Sequence, residues 1–371
     1  MRCARALAPR SNPLDVMKDD EDDRARAPDK AFACAWLDER SALVSTKCNR
    51  LFRFDFRRRG GGASARRREI ALDFGASMDF GGARGGGGAH AIAQTKTRDR
   101  LCVSGGPGHD IVGFERGGER DDIVPAYALR GHEDVVFGMD FIHRDALASA
   151  SRDGSLRIFR LPRETSEEKC AVYASPVVSI KPEGGCGSRS SEKLRGVKLV
   201  YDVLSPQLAT ISSSGTVYQF DASTPHVVSQ EYKLRGFAET SCVATDGRVV
   251  AVGSRAHIGL IDFRMRGVVS SFAVHSTRRR SLSLSATRSL SFAPHESILT
   301  IGGGRDNVDF FDVRMRQYLK HLEGRLGREP LNDLRAPAIF SHEWDPTGTR
   351  LLVAGGPLLE LIPGFYVGLW L

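Results

Sequence analysis

The segment from Leu129 to Leu161 constrains the fold more than any other part of the chain, because it contains three short β-strand patterns joined by tight turns. The strand patterns cover residues 135–141, 146–151 and 155–160. An Arg-Asp-Gly turn at 152–154 precedes the third strand, and its glycine supplies the positive φ that tight hairpins need. With a Gly-His pair before the first strand, this order of elements is typical of a WD repeat. One repeat cannot bury its apolar faces alone, so the chain must contain further copies.

Further copies follow the same register. When Phe54 is placed on Phe159, residues 30–57 align with the first segment without a gap, and Lys47 matches Arg152. Large side chains anchor a third strand at spacings of 41 to 61 residues, which fits propeller blades with some long loops. These anchors are Phe54, Phe114, Phe159, Phe220, Ile261, Phe311 and Trp370. Seven anchors predict an all-β fold, a seven-bladed WD-repeat β-propeller.

The remaining segments define the domain organisation. Residues 1–29 include an acidic run at 19–23 and show no apolar periodicity, so we predict a disordered N-terminal segment. The propeller is predicted to span residues 30–371, with an Arg- and Gly-rich flexible insertion at 57–88. The pattern stops on the third strand of the last blade, where an outer fourth strand would close the ring. Only residues before Lys30 could supply that strand, so the sequence predicts weak closure or a missing N-terminal strand.

Composition narrows the functional classes. The seven cysteines are scattered and form no C-x-x-C pair, which argues against a disulfide framework or a zinc site and favours a reducing compartment. We therefore expect a cytoplasmic and nuclear protein without a metal or cofactor. No apolar run is long enough to span a bilayer, so we expect no membrane span. The formal net charge of +8 favours an acidic partner.

Four segments resemble a known family of WD-repeat proteins. They are KAFACAWLDERSALVSTKCNRLFRFD at 30–55, SRDGSLRIFRLP at 151–162, VGSRAHIGLIDFR at 252–264 and GTRLLVAGGPLLELIPGFYVGLWL at 348–371. The family is that of damaged-DNA-binding-protein-1- and cullin-4-associated factor 12, a substrate receptor of a cullin-4 RING ubiquitin ligase. The resemblance implies a non-catalytic subunit that docks on the adaptor, damaged-DNA-binding protein 1, and through it on cullin-4. It also implies substrates with acidic C-termini, a twin-glutamate type of degron.

Basic residues recur where the blades of a propeller open on one face. Each precedes either the turn between the second and third strands or the first strand of its blade. In the fourth blade the alignment does not decide whether Arg195 or Lys198 occupies this position. Such a ring could capture a C-terminal carboxylate and acidic side chains. The predicted degron-binding residues are Lys30, Lys47, Arg152, Arg195, Lys198 and Arg288. The resemblance assigns this role to Lys30, Lys47, Arg152 and Arg288, and the alternative is that all six are ordinary solvated rim charges.

The predicted adaptor contact lies on the opposite face. The segments Ile261-Asp262-Phe263-Arg264 and Phe311-Asp312-Val313-Arg314 match the W-D-x-R pattern of cullin-4 receptors, with the tryptophan replaced. We predict that Arg264, Asp312 and Arg314 contact the adaptor. The alternative is that aspartate and arginine only close a turn at the end of the strand, as in many WD proteins.

Two other functional classes stay open. One is a WD-repeat scaffold outside the ubiquitin system. The other is an RNA-associated propeller that uses the arginine clusters at 57–59, 66–68 and 278–280, although these clusters lack the interleaved aromatic residues on which bases stack. The pair His132 and Asp153 is interpreted as a structural hydrogen bond within a blade, because the sequence places no nucleophile with it. The lack of interleaved aromatic residues makes nucleic acid a disfavoured partner. The lack of a nucleophile beside His132 and Asp153 makes catalysis the least favoured class.

Overall fold

The computed structural model describes residues 30–59, 62–70, 72, 87–117, 122–162, 172–174, 176–181, 192–201, 205–225, 227–237, 239–274, 286–303, 307–319, 324–325, 337–357 and 366–370. Within these residues the chain forms seven β-sheets and two short 3₁₀ turns, at Pro107–His109 and Phe263–Met265. The predicted fold, a seven-bladed β-propeller, is confirmed. The predicted disordered segment, residues 1–29, lies outside the described residues.

The blades follow one another along the chain, and each begins with its inner strand. Blade 1 contains β1 (Ala31–Trp36), β2 (Ser41–Thr46), β3 (Leu51–Arg59) and β4 (Gly62–Ile70). Blade 2 contains β5 (Ile92–Gln94), β6 (Arg100–Ser104), β7 (Ile111–Gly117) and β8 (Asp122–Leu129). Blade 3 contains β9 (Val136–His143), β10 (Ala146–Ser151), β11 (Leu156–Arg160) and, after β12 (Val172–Ala174), β13 (Pro176–Ile180). Strand β12 pairs in parallel with the outer edge of blade 2.

The second half of the ring repeats this order. Blade 4 contains β14 (Leu194–Tyr201), β15 (Pro206–Ser212), β16 (Thr216–Asp221) and β17 (Val228–Lys233). Blade 5 contains β18 (Cys242–Thr245), β19 (Val249–Gly253), β20 (His257–Asp262) and β21 (Gly267–Ala273). Blade 6 contains β22 (Ser289–Phe292), β23 (Ile298–Gly302), β24 (Asn307–Asp312), β25 (Gln317–Tyr318) and β26 (Gly324–Arg325). Blade 7 contains β27 (Pro337–Trp344), β28 (Leu351–Pro357) and β29 (Tyr366–Trp370).

The predicted repeat register agrees with the structure. All seven predicted anchors lie in the third strand of their blades. The turns at Asn49 and Gly154, which the alignment equates, both have a positive φ, of 57° and 81° respectively. Asparagine and glycine are the residues that adopt this left-handed conformation most readily, so both turns can close the same hairpin.

Part of the predicted flexible insertion at 57–88 is regular structure. Strand β3 continues to Arg59, and β4 pairs with it antiparallel along its whole length. Arg50 forms an ion pair with Glu69 across the two strands at 2.8 Å, and Ile70 is buried. The low-complexity composition of this segment therefore led to a wrong prediction for the outer strand of blade 1. An outer strand has one face in water, so charged and small residues are acceptable there.

The core lies between neighbouring blades. Seven clusters of buried side chains occupy the seven interfaces around the ring. Strands such as β2 and β28 are buried at every position whose burial is described, since both of their faces pack on other sheets. The third-strand anchors whose burial is described are at most 3% exposed, which explains why a large side chain recurs there.

Blade 7 joins blade 1 through one of these clusters. Within the described residues blade 7 has three strands, and Leu352 and Val367 pack against Trp36 of blade 1. The Trp36 indole Nε1 donates a hydrogen bond to the backbone oxygen of Glu343 at 3.0 Å, and the Cys34 N–H donates to Ser341 Oγ at 3.2 Å. The first and last blades are therefore joined by apolar packing and by hydrogen bonds. A closing strand from before Lys30, as the sequence suggested, would lie outside the described residues.

Among the described residues there is no helix of the length and apolar character needed to cross a bilayer.

Candidate functional site

The inner strands of the seven blades enclose a central cavity of about 760 Å³. Its mouth is the end at which the inner strands begin, and each blade places one side chain there. These residues are Phe32, His90, Phe137, Arg195, Ser241, Arg288 and Phe340. The mouth therefore combines three phenylalanines, a histidine and a serine with two arginines.

A β-bulge directs side chains into the mouth. In blades 1, 3, 4 and 7 the pairing of the inner strand shifts by one residue, and the extra residues are Phe32, Phe137, Arg195 and Phe340. A bulge leaves one residue outside the ladder and redirects its side chain. In blade 6, Arg288 donates its backbone N–H to the Gly302 oxygen at 2.9 Å, although Gly302 pairs with Ser289. A bulge thus positions Arg195 in blade 4, while Arg288 in blade 6 directly precedes its inner strand.

Arg195 has an unsatisfied donor in this cavity. Its guanidinium lies over the Phe137 ring at 4.6 Å from the ring centroid. Its Nε is buried and has no hydrogen-bond partner among the residues that the structure describes. Burial and then the nearby charge of Arg152 lower the pKa of Arg195, while Glu239 raises it. A buried unpaired donor costs about 1–3 kcal/mol, so an anion at this position would stabilise the site.

Arg288 is placed in the same way on the other side of blade 5. Its guanidinium lies over Phe340 at 5.6 Å from the ring centroid, and its buried Nε also finds no hydrogen-bond partner in the described part of the chain. Burial lowers the pKa of Arg288, and the Cys242 thiol and Glu239 raise it. Two guanidinium groups with unpaired donors therefore flank blade 5 at the mouth.

Lys198 lies deeper than Arg195. It is three residues further along β14, about 10 Å at the usual rise of a strand. It is half-buried on the cavity wall, where its charge lowers the pKa of the Glu343 carboxyl. Burial is the larger effect and raises the pKa of Glu343 to about 7. Of the two candidates that the sequence left open in blade 4, Arg195 is the one at the mouth.

The other three predicted degron-binding residues lie around the mouth. The Lys47 N–H donates to the Lys30 oxygen at 2.8 Å, and the Arg152 N–H donates to the Val135 oxygen at 2.9 Å. These equivalent bonds dock each hairpin turn against the start of an inner strand. Lys30 is half-buried, and Lys47 and Arg152 are exposed.

Arg152 already has a carboxylate partner. Its Nε lies 2.7 Å from Asp134 Oδ2, and this hydrogen bond holds the pKa of Asp134 below its usual value. An acidic ligand at Arg152 would have to share the guanidinium with Asp134. To the binding of such a ligand, Arg152 would therefore contribute mainly its other N–H donors and its positive charge.

The sequence analysis did not identify the aromatic residues of the mouth. Phe32, Phe137 and Phe340 are half-buried, as is His90. Burial lowers the pKa of His90 to about 4, with the charges of Arg195 and Arg152 acting in the same direction, so the imidazole is neutral at neutral pH. The sequence does contain a signal for these aromatic residues. When the blades are aligned, they occupy the position at the start of the inner strand that Arg195 and Arg288 occupy in blades 4 and 6.

The predicted adaptor-binding residues form two similar turns on the opposite face. Arg264 binds its own turn, with Nε 2.9 Å from Asp262 Oδ1 and Nη2 2.5 Å from Asp262 Oδ2. In blade 6 the Asp312 Oδ1 accepts the backbone N–H groups of Arg314 and Met315 at 2.9 and 2.8 Å. Asp312 and, in large part, Arg264 are thus used in shaping these turns, and the Arg314 side chain is exposed.

Each of these turns also exposes a methionine that the sequence analysis missed. Met265 is 70% exposed and Met315 is 65% exposed. The turns share the sequence Asp-x-Arg-Met-Arg, and both end on an arginine with positive φ, 51° at Arg266 and 52° at Arg316. Two neighbouring blades therefore present the same apolar side chain from the same backbone conformation.

His132 and Asp153 form the predicted hydrogen bond, but a serine lies with them. The His132 Nδ1 is 2.9 Å from Asp153 Oδ2, and its Nε2 is 2.7 Å from Ser149 Oγ. This corrects the expectation that no nucleophile accompanies the pair. Ser149 is completely buried inside blade 3, so no substrate reaches its hydroxyl. Ser289, His342 and Thr300 form a similar buried chain between blades 6 and 7, which favours a structural role for both.

In the part of the chain that the structure describes, no three histidine, cysteine, aspartate or glutamate side chains are grouped so that they could hold a metal ion.

The fold defines the class of the protein as a WD-repeat β-propeller, here with a basic cavity mouth. A family model described as "DDB1- and CUL4-associated factor 12 beta propeller" matches residues 25–330, which is more than half of the chain. The protein belongs to this family. Membership indicates a substrate receptor associated with DDB1 and cullin-4, a class of subunit that is typically non-catalytic.

Proposed function

We propose that this protein is the substrate-recognition subunit of a cullin-4 RING E3 ubiquitin ligase. In this function the cavity mouth binds protein C-termini that end in acidic residues, of the twin-glutamate type. The opposite face docks on DDB1, so that the bound protein is presented for ubiquitination. The proposal rests on family membership and on the chemistry of the mouth.

The observation that carries the proposal is the pair of unpaired Nε donors of Arg195 and Arg288. Guanidinium groups bind carboxylates through two parallel hydrogen bonds, and a twin-glutamate terminus provides three carboxylates close together. A cavity of about 760 Å³ lies within the range of ligand pockets, so it admits a chain end rather than a folded domain. Lys30, Lys47 and Arg152 add positive charge around it, which favours association with an acidic peptide.

Peptide binding tests this half of the proposal. A fluorescent peptide that ends in two glutamates should bind, and the same peptide with an amidated terminus should bind more weakly. Arg195→Met or Arg288→Met should each weaken binding about tenfold to a hundredfold, because a hydrogen bond to a charged group contributes roughly 1.5–3 kcal/mol.

Arg248→Met is the matched control, since Arg248 is an exposed arginine between β18 and β19, away from the mouth. Equal affinities of the acid and the amide, together with unchanged binding by both mouth variants, would exclude the mouth as the degron site.

The adaptor half of the proposal rests on the paired turns of blades 5 and 6. Exposed apolar side chains that repeat on neighbouring blades favour a protein contact, since flexible methionines pack well on partner surfaces. Met265→Asp with Met315→Asp should greatly reduce co-purification with DDB1.

The matched control is Val124→Asp, because Val124 is a 56% exposed apolar residue on the outer strand of blade 2. If wild-type protein fails to co-purify with DDB1, a scaffold outside the ubiquitin system becomes the better interpretation.

We also propose a cytoplasmic and nuclear location. Three of the four cysteines that the structure describes, Cys34, Cys102 and Cys242, are free thiols, which fits a reducing compartment. Fluorescence microscopy of the tagged full-length chain tests this location.

A further inference from the structure

The aromatic residues of the mouth form one continuous wall. The Phe32 ring stacks on His90 with centroids 4.1 Å apart and 15° between the planes. His90 meets Phe137 edge-on at 4.8 Å, and Phe32 meets Phe340 edge-on at 5.5 Å. Four rings from blades 7, 1, 2 and 3 are thus in contact with one another. We call Phe340, Phe32, His90 and Phe137 the aromatic wall.

The aromatic wall and the basic residues divide the mouth into two halves. Arg195 of blade 4 and Arg288 of blade 6 lie over the rings at the two ends of the wall, Phe137 and Phe340. Blade 5, between them, contributes the polar Ser241. A peptide whose carboxylates bind the two arginines would therefore place another part of its last residues against the aromatic wall.

Resting on the function proposed above, we propose that the aromatic wall is a subsite for one large apolar side chain near the C-terminus of the acidic peptide. The receptor would then recognise an apolar residue together with the acidic terminal residues. All four rings are half-buried on the cavity wall, so they offer apolar surface that a ligand can cover. Apolar contact is non-directional and grows with the area removed from water.

The geometry favours an apolar side chain over a nucleic-acid base. A base stacks on a free ring face. The guanidinium groups of Arg195 and Arg288 cover faces of Phe137 and Phe340, and the imidazole of His90 covers a face of Phe32. An aliphatic side chain can pack against ring edges and needs no free face. A cationic ligand is disfavoured because both ends of the wall carry positive charge.

A peptide series tests the proposal. Peptides that end in two glutamates would carry a single leucine or a single serine at the third, fourth, fifth or sixth residue from the C-terminus. At one of these positions leucine should improve affinity about fivefold to tenfold over serine, since the wall can bury roughly half of an aliphatic side chain. Phe32→Ala should remove that difference, so that the leucine and serine peptides bind the variant with similar affinities. Phe32 is chosen because neither guanidinium lies over it.

The outcomes separate this inference from the proposed function. No binding of any acidic peptide would contradict the proposed function itself. Binding that is equal for leucine and serine at all four positions would overturn the aromatic subsite and leave the acidic C-terminus site intact. Tighter binding of a single-stranded RNA oligonucleotide at the same mouth would overturn it as well. If Phe32→Ala fails to fold, the peptide series on the wild-type protein still decides the question.

Discussion

Glu343 provides a sharp test of how the cavity affects stability. Its Oε2 accepts the Trp36 N–H at 3.0 Å, and burial raises the pKa of its carboxyl to about 7 from an ordinary value of 4.5. The substitution Glu343→Gln removes the titration and keeps an oxygen that can accept the same hydrogen bond. The variant therefore isolates the cost of ionising this side chain inside the propeller.

The expected magnitude follows from the change in pKa. Between pH 4.5 and 7 the folded protein holds a proton that the unfolded chain has lost, so ionisable Glu343 makes folding less favourable as the pH rises through this range. A difference of about 2.5 pKa units corresponds to ~3 kcal/mol for a fully enclosed group. Glu343 lines the cavity and is only half-buried, so we expect about 1–2 kcal/mol.

Urea unfolding at pH 5 and pH 8.5, followed by tryptophan fluorescence, measures this effect. The free-energy advantage of Glu343→Gln over wild type should grow by about 1–2 kcal/mol between the two pH values. All other titrating groups are common to both proteins and cancel. Glu231→Gln, at an exposed glutamate on β17, is the matched control for the substitution itself. An advantage that is the same at both pH values would refute the reasoning.

Three further predictions concern packing and reactivity. Asp153→Ala should lower the free energy of unfolding by about 3 kcal/mol, because it leaves the buried His132 and Ser155 without their acceptor. The control Asp134→Ala removes a half-exposed ion pair and should lower the free energy of unfolding by under about 1 kcal/mol. Thermal unfolding of the two variants distinguishes these costs. Gly113→Ala should destabilise blade 2 by ~2 kcal/mol or more in the same assay, because its Cβ would lie 1.9 Å from the Tyr127 ring. Alkylation at pH 8 should label exposed Cys48 before the three other cysteines that the structure describes, because burial raises the pKa of each of those thiols; peptide mass spectrometry identifies the site.

The amino-acid sequence by itself determined the number of blades and the register of their middle strands. Hairpin turns and period-2 alternation are local signals, so a segment such as 129–161 contains them completely. Anchors such as Phe159 recur because every blade buries its third strand between neighbouring sheets. Basic residues beside the hairpin turns were predictable for the same reason, as the equivalent backbone bonds of Lys47 and Arg152 illustrate.

Only the tertiary structure decided how the blades combine into a site. Phe32 and Phe340 lie 308 positions apart in sequence and touch because the ring brings blade 7 against blade 1. Bulges move Arg195 and its equivalents out of the regular alternation, so a period-2 pattern could not show which residues face the cavity. Pairing of Arg152 with Asp134 and the burial of the Arg195 Nε likewise depend on neighbours that the sequence does not place. Local hydrogen bonding thus gave the blades, while contacts between distant segments gave the mouth its chemistry.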